Sequence, residues 1–320
     1  MGETNRTALV LGATGGIGGA VATKLLQRGW DVRALRRESS TRPVADGPKW
    51  VAGDAMNGND VLSAARGASL IVHAVNPPGY RNWGRLVLPM LDNTIAAADR
   101  TGARIVLPGT VYNYGPDAFP LVAEDAPQHP TSRKGAIRVE MERRLERAAD
   151  RGVRTLIVRA GDFFGPGAGG NWFSQGLVKP GRPVTAITAP GQPGVGHQWA
   201  YLPDVAATVV ELLGRDLGTF ERFHMDGQWD ADGTAMAAAI RAAVGRSVPA
   251  KALPWWLMRL ASPVVPLFRE MAEMEYLWRT PIRLDNRRLI RALGAEPRTP
   301  LNVAVRATLG DLGCIPIGAA

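Results

Sequence analysis

An apolar run, Leu9-Val10-Leu11, stops at Gly12, and apolar positions resume at helical spacing with Val21, Leu25 and Leu26. This change of period, from a buried strand to an amphipathic helix, recurs along the first half of the chain. Strands are expected over residues 7–11, 31–35, 50–52, 70–74, 104–107 and 154–159. Helices are expected over 17–28, 61–65, 83–101 and 135–151, with Gly29, Gly102 and Gly152 placed where helix C-caps belong. Apolar strands alternating with helices predict a parallel sheet covered on both faces. After Gly161 the pattern changes. Stretches 165–170 and 191–196 are rich in glycine and proline and read as loops over a site. From about Pro249 to Trp278 the chain is apolar but broken by Pro254, Pro263, Pro266, Arg259 and Arg269, too interrupted to cross a bilayer. The expected division is a core over 1–160 and a substrate lobe over 161–320, with segments near 197–226 returning to the core.

Composition narrows the classes. A chain of 320 residues can bury a large core. The single cysteine, Cys314, excludes an internal disulfide framework, and the four histidines show no metal-ligand spacing, so no metal is expected. No basic-then-apolar leader precedes the first strand, which leaves a soluble cytoplasmic protein as the expectation. The net charge of +9 comes from 38 basic and 29 acidic residues. The arginines are dispersed and share helices with acids, as in Arg138-Val139-Glu140-Met141-Glu142-Arg143-Arg144, which reads as a solvated face and not a nucleic-acid surface.

The first strand-to-helix junction carries chemistry. It reads Gly12-Ala13-Thr14-Gly15-Gly16-Ile17-Gly18. Gly12 lets the chain turn out of the strand, Gly15 lets backbone approach a pyrophosphate, and Gly18 lets the helix pack on the sheet. The helix N-terminus then turns its amides and positive dipole end toward the phosphates. In a strand–turn–helix setting this spacing points to dinucleotide binding. The fold class is therefore a doubly wound parallel α/β sheet of Rossmann type, with a smaller, mainly helical C-terminal lobe.

Further motifs follow in order: Gly53-Asp54, His73-Ala74-Val75, Val111-Tyr112-Asn113-Tyr114-Gly115, the run from Val158 to Gly167, and Trp199-Ala200-Tyr201-Leu202-Pro203-Asp204-Val205-Ala206. Together with the glycines they resemble the extended short-chain dehydrogenase/reductase superfamily, the group of NAD(P)-dependent epimerases and dehydratases, over nearly the whole chain. The resemblance implies that Asp54, with Ala55 beside it, meets the adenine. It implies also that Ala74, Val75 and Asn76 run beneath the nicotinamide ribose. The end of the second strand reads Arg36-Arg37, with no acid before Glu38. Guanidinium groups match a 2′-phosphate, so NADP is expected over NAD.

The catalytic station departs from the pattern of that superfamily. Thr110 takes the usual hydroxyl position, but Lys134 stands in the tyrosine slot and Arg138 in the lysine slot. Three readings follow. Lys134 itself handles the proton while Arg138 holds the ribose, a use of lysine with a parallel in isoflavone-reductase-like proteins. Alternatively Tyr112 or Tyr114 supplies a phenol, or the protein is a silent NADP-binding regulator as NmrA-like proteins are. Asp162, Phe163, Phe164, Asn171, Trp172, Phe173 and His197 fall where related proteins line the substrate cleft. Aromatic walls suit a small organic substrate. The expected activity is hydride transfer between a nicotinamide cofactor and a carbonyl or related group. Sugar-nucleotide epimerisation or dehydration is the alternative, for which Lys179 and Arg182 are the available cations. The resemblance also implies a homodimer through the two long helices.

Overall fold

The computed structural model describes residues 6–37, 47–77 and 83–316. Glu38 lies outside them. Strand β1 (Thr7–Leu11) leads into α1 (Gly16–Gln27), β2 (Asp31–Arg36) and β3 (Lys49–Ala52). Then come α2 (Gly58–Ala65), β4 (Leu70–His73), α3 (Trp83–Thr101) and β5 (Arg104–Thr110). Short β6 (Leu121–Val122) precedes α4 (Arg133–Ala149) and β7 (Thr155–Ala160). The second half opens with β8 (Asp162–Phe164), β9 (Ile187–Ala189), β10 (His197–Tyr201), α5 (Leu202–Leu212) and β11 (Phe220–His224). It continues with β12 (Gln228–Asp230), α6 (Ala235–Val244), β13 (Ala250–Ala252), α7 (Trp255–Ala261) and α8 (Pro266–Ala272). The last elements are β14 (Arg283–Leu284), α9 (Arg287–Leu293) and α10 (Leu301–Asp311).

Seven strands form one parallel sheet in the order β11-β7-β5-β4-β1-β2-β3. Its two faces are built from alternate residues of the same strands. Leu9, Leu11, Ile71, Ile105, Leu107 and Ile157 pack with Leu91 of α3 and Leu145 of α4. Ala8, Val10, Val72, Val106 and Val158 pack with Val21 and Leu25 of α1 and Val205 and Val209 of α5. Because both faces are covered, these strands are continuous apolar runs, each buried branched side chain contributing about 1.5–3 kcal/mol. This is the doubly wound Rossmann-type architecture. The chain from α5 to β11 lies with the sheet, whereas a third cluster that includes Phe164, Phe173, Trp199, Ile240, Trp255 and Trp278 forms the interior of the C-terminal lobe.

Most elements differ from the expectation by a few residues at most, at one or both ends, and three of the shifted boundaries have a clear local reason. α4 begins at Arg133, because the Ser132 side chain accepts the Gly135 N–H at 3.0 Å and caps the helix two residues earlier. α2 begins at Gly58 under a similar cap, Asn57 accepting the Asn59 N–H at 3.0 Å. β5 runs through Pro108-Gly109 to Thr110. Its ladder with β4 ends at Val106, so Pro108 withdraws no donor from that side, while pairing with β7 continues to Thr110↔Ala160. The extension matters because it carries Thr110 to the C-terminal edge of the sheet, where ligands bind in open α/β folds.

Candidate active site

The cradle is set at the C-terminal end of β1. Gly12 adopts φ +89°, and a Cβ there would stand 2.5 Å from the Ala74 carbonyl oxygen. Only glycine allows β1 and the segment after β4 to approach this closely. A Cβ on Gly18 would meet the Gly12 oxygen at 2.2 Å, so the start of α1 sits directly against the turn. Gly15 is the N-cap of α1 and brings no side chain to the first amides, and no acid lies in the first turn. That surface therefore fits a pyrophosphate: glycine backbone, open helix amides and the positive end of the dipole. Gly15, Gly16 and Ile17 line a cavity of about 310 Å³ together with Ala74, Val75 and Asn76. Thr14 is exposed beside them.

The adenine-side expectations lie beyond this cavity. Asp54 accepts the Met56 N–H at 2.9 Å, and the buried Ala55 offers its carbonyl to Asn93 at 2.9 Å. The Arg36 guanidinium stacks over the Trp50 ring at 5.1 Å, and Arg37 is exposed.

At the other end the cavity meets a polar wall formed by Thr110, Tyr112, Lys134, Arg138 and Asp162. Thr110 closes β5 and caps the turn Val111–Asn113, its hydroxyl accepting the Tyr112 N–H at 3.3 Å and donating to Asn113 Oδ1 at 3.5 Å. That cap aims Tyr112 at the cleft, where its hydroxyl donates to Asp162 Oδ1 at 3.3 Å. Lys134, in the first turn of α4, has a buried side chain. Its Nζ donates to Glu270 Oε2 and to the Glu270 carbonyl, both at 2.9 Å, and its N–H donates to Glu273 Oε1 at 3.1 Å. One turn on, Arg138 lies over the Trp83 ring at 5.5 Å and donates to the Pro108 carbonyl at 3.4 Å. His73 also lines the cavity, its Nδ1 donating to Thr94, whose hydroxyl is spent on the Met90 carbonyl. Burial, and then the charge of Arg138, lowers the His73 pKa to about 3, so the ring is neutral.

Of the expected substrate residues, Asp162, Phe163, Asn171 and Trp172 line the cavity. Phe164 and Phe173 do not. They are fully buried and stack on each other at 5.7 Å inside the lobe, because β8 alternates and turns Phe164 away from Phe163. His197 sits behind the wall, with Nε2 2.9 Å from Asp162 Oδ2. Tyr114 is no candidate for proton transfer. It is fully buried off the cleft, hydrogen-bonded to Arg159 and to His224 Nε2. Lys179 and Arg182 are exposed and contribute nothing to the cavity wall.

Sequence reasoning expected a substrate lobe but missed which of its later residues reach the cleft. Glu270, Met271 and Met274 close the cavity from α8 and the residue after its C-cap. Their only sequence signal was a broken apolar stretch, which says nothing of which face meets the core. It also missed the pair behind the site, Arg159 with Glu142, although a lone arginine in the buried strand Thr155–Ala160 signals a buried partner.

The fold joins a dinucleotide-type glycine cradle to a polar-walled cleft, and the chain's family and relatives support an NAD(P)-dependent enzyme of oxidoreductase type. Residues 8–216 match the NAD dependent epimerase/dehydratase family, and the chain belongs to that family. A 3-diazoavenalumate denitrifying reductase from a Streptomyces species is 30% identical over 267 residues, 77% of this chain and 78% of the relative. A dTDP-6-deoxy-L-talose 4-dehydrogenase (NAD(P)(+)) from Kitasatospora kifunensis is 29% identical over 51% of this chain and 54% of its own length. The Bordetella bronchiseptica enzyme WbmH, solved in complex with NAD+, shares the fold at a TM-score of 0.69. It is 20% identical, with 96% of this chain and 98% of that one covered. Among the described residues no helix is long and apolar enough to cross a membrane, and no cluster of three His, Cys, Asp or Glu side chains could hold a metal ion.

Proposed function

We propose that the protein is a cytoplasmic NADP(H)-dependent reductase or dehydrogenase acting on a carbonyl or related group of a small organic substrate. One observation carries this reading: the glycine cradle and the wall of Thr110, Tyr112, Lys134 and Asp162 face one shared cavity. When bound, the nicotinamide supplies or accepts two electrons as hydride. Arg36 and Arg37, at the end of β2, are the cations available for a 2′-phosphate. Arg138 stands where the ribose is held, and the Thr110 hydroxyl orients the substrate oxygen. Two donations from Lys134 Nζ to Glu270 support a role different from the proton transfer expected of it: a fixed ammonium that offers positive charge to developing charge on the substrate.

Two measurements test this. Replacing Arg36 and Arg37 by alanine is expected to weaken NADPH binding at least about tenfold, with NADH little changed, in fluorescence titrations. Equal weakening of both cofactors, or none, would defeat the phosphate argument. Lys134→Ala is expected to lower kcat/KM about 10²-fold or more while the cofactor Kd stays near wild type. Full turnover in that variant would remove Lys134 from the mechanism.

The Streptomyces relative supports a second reading, in which the hydride acceptor is a diazo group. Hydride added to an aryl diazonium forms no oxygen anion, so such a reaction can proceed without a phenol at position 134. Dinitrogen release from an aryl diazonium salt with NADPH would favour it.

A further inference from the structure

Running back from the polar wall, three side chains from three separate segments form one hydrogen-bonded chain. Tyr112 Oη donates to Asp162 Oδ1 at 3.3 Å, Asp162 Oδ2 lies 2.9 Å from His197 Nε2, and His197 Nδ1 lies 3.3 Å from the Leu277 carbonyl oxygen. Tyr112 and Asp162 face the cleft, while His197 is buried behind them. The register of β8 with β10 brings the acid and the imidazole together, and the turn after β5 adds the phenol.

The hydrogen-bond count has a definite consequence. A carbonyl oxygen can only accept, so for the 3.3 Å contact to be a hydrogen bond His197 Nδ1 must carry a proton. A neutral imidazole would then turn the lone pair of Nε2 toward a carboxylate oxygen at 2.9 Å, which is repulsive. Both contacts are hydrogen bonds at once only with one more proton between Asp162 and His197. The His197 ring stacks face to face on Trp278, with centroids 3.7 Å apart and planes within 6°. An indole face favours a cation, so that proton belongs on Nε2. The other groups near the pair change none of this. Trp199 meets the imidazole with its edge at 4.9 Å, and burial pushes Tyr276, a neighbour of Asp162, up to about 12, which keeps that phenol neutral. On the cleft wall Lys134 and Glu270 are paired with each other, and Arg138 lies over Trp83 and donates to the Pro108 carbonyl.

We infer that Tyr112, Asp162 and His197 are a proton-delivery chain for the hydride-transfer reaction proposed above, on which this assignment rests, and that Tyr112 is its catalytic end. In the reductive direction the carbonyl carbon gains hydride, with both electrons from the reduced nicotinamide cofactor, and the π pair moves to oxygen. Tyr112 turns its O–H from Asp162 to that oxygen and gives it the proton as the new O–H bond forms. His197 Nε2 passes its proton to Asp162 Oδ2, the carboxyl group rotates to bring that proton to Tyr112, and the phenolate takes it. The pair is then a neutral imidazole facing a carboxylate, lone pair against lone pair, and it takes up one solvent proton when product leaves. Oxidation runs the same steps backwards. Asp162 and His197 are positioning residues, since of the three only the phenol gives its proton to the reacting oxygen.

The full chain labelled with ¹⁵N-histidine tests the stored proton directly. Near neutral pH, long-range ¹⁵N–¹H correlation spectra should show His197 protonated on both nitrogens. Asp162→Asn should convert it to the neutral Nδ1–H form, and Tyr112→Phe should leave it doubly protonated. A neutral His197 in the wild-type protein overturns the assignment. With NADPH and 9,10-phenanthrenequinone as the carbonyl probe, Tyr112→Phe should lower kcat about 10²–10⁴-fold without changing NADPH binding. Asp162→Asn should change the shape of the pH profile, which a purely structural loss would not. Wild-type turnover and pH profile in Tyr112→Phe would also overturn the chain. Loss of NADPH binding by the wild-type protein would instead overturn the proposed function, and the histidine spectra decide the stored proton whether or not this probe is reduced.

Discussion

Replacing Glu142 by glutamine is expected to cost about 3–5 kcal/mol of folding stability, the usual result of leaving a buried cation without its partner. Arg159 is fully buried in β7, and its Nε donates to Glu142 Oε1 at 3.0 Å while Nη2 pairs with Oε2. Burial is the largest influence on the Glu142 carboxyl and raises it, but the Arg159 charge together with the hydrogen bonds from Arg159 and Gln128 outweighs it and leaves the group below the ordinary carboxylate range. Arg159 Nη1 is spent on the Glu124 carbonyl at 3.1 Å, the Tyr114 hydroxyl and His224 Nε2. The network thus ties β7, β11, α4 and the loop after β5 together. A glutamine amide turned toward Arg159 would set donor against donor. For a chain of this length the loss corresponds to a Tm lower by about 5–8 °C. Glu142→Gln combined with Arg159→Met is expected to recover most of it, because the uncompensated charge is gone. Urea denaturation of both variants checks this, and a cost below about 1 kcal/mol for Glu142→Gln would refute it.

Acid should weaken the fold well above the pH at which carboxylates titrate. His73 and His224 are both lowered to about 3, each chiefly by burial, with Arg138 acting on the first and Arg159 on the second. In the unfolded chain each returns to about 6.5. The unfolded state therefore binds more protons between those values, and stability falls as pH drops through that window. At about pH 5 each histidine removes roughly 2 kcal/mol, so the pair removes about 4 kcal/mol relative to pH 7.5. Below the carboxylate range the depressed Glu142 adds to the loss. Asp204 and Glu296, raised mainly by burial, act with the opposite sign and return part of it. The geometry explains the severity at His224. Its Nδ1 donates to the Val122 carbonyl at 3.0 Å and its Nε2 accepts from both Tyr114 and Arg159, so an added proton has no acceptor. Urea denaturation across this range should show the slope, and His224→Gln should remove about half of it. A flat profile would refute the argument.

What the sequence revealed follows from the range of each interaction. The cradle was legible because Gly12, Gly15 and Gly18 report a local backbone path, and a strand before and a helix after give it context. Thr110 was legible only as a motif position. The strand that delivers it was cut short at Pro108, since whether a proline breaks a strand depends on where the neighbouring ladder ends. The Lys134 substitution could be seen, but not its bond to Glu270, which joins positions 136 residues apart. Phe164 and Phe173 were assigned to the cleft by position, although strand alternation turns the first of them inward. Asp162 and His197 were each singled out as substrate residues. That they touch each other is a matter of sheet register, which no local pattern encodes.

Lys134 does more than line the cavity. Its ammonium clasps the same helix that brings Glu270 and Met271 into the cleft, so one side chain both walls the cavity and holds the lobe against it. Positions 134 and 270 are therefore tied to each other. A tyrosine at 134 would leave Glu270 at the cleft wall without its ammonium, and a neutral side chain at 270 would leave a buried ammonium without its carboxylate, so a tolerated change at either position calls for a matching change at the other.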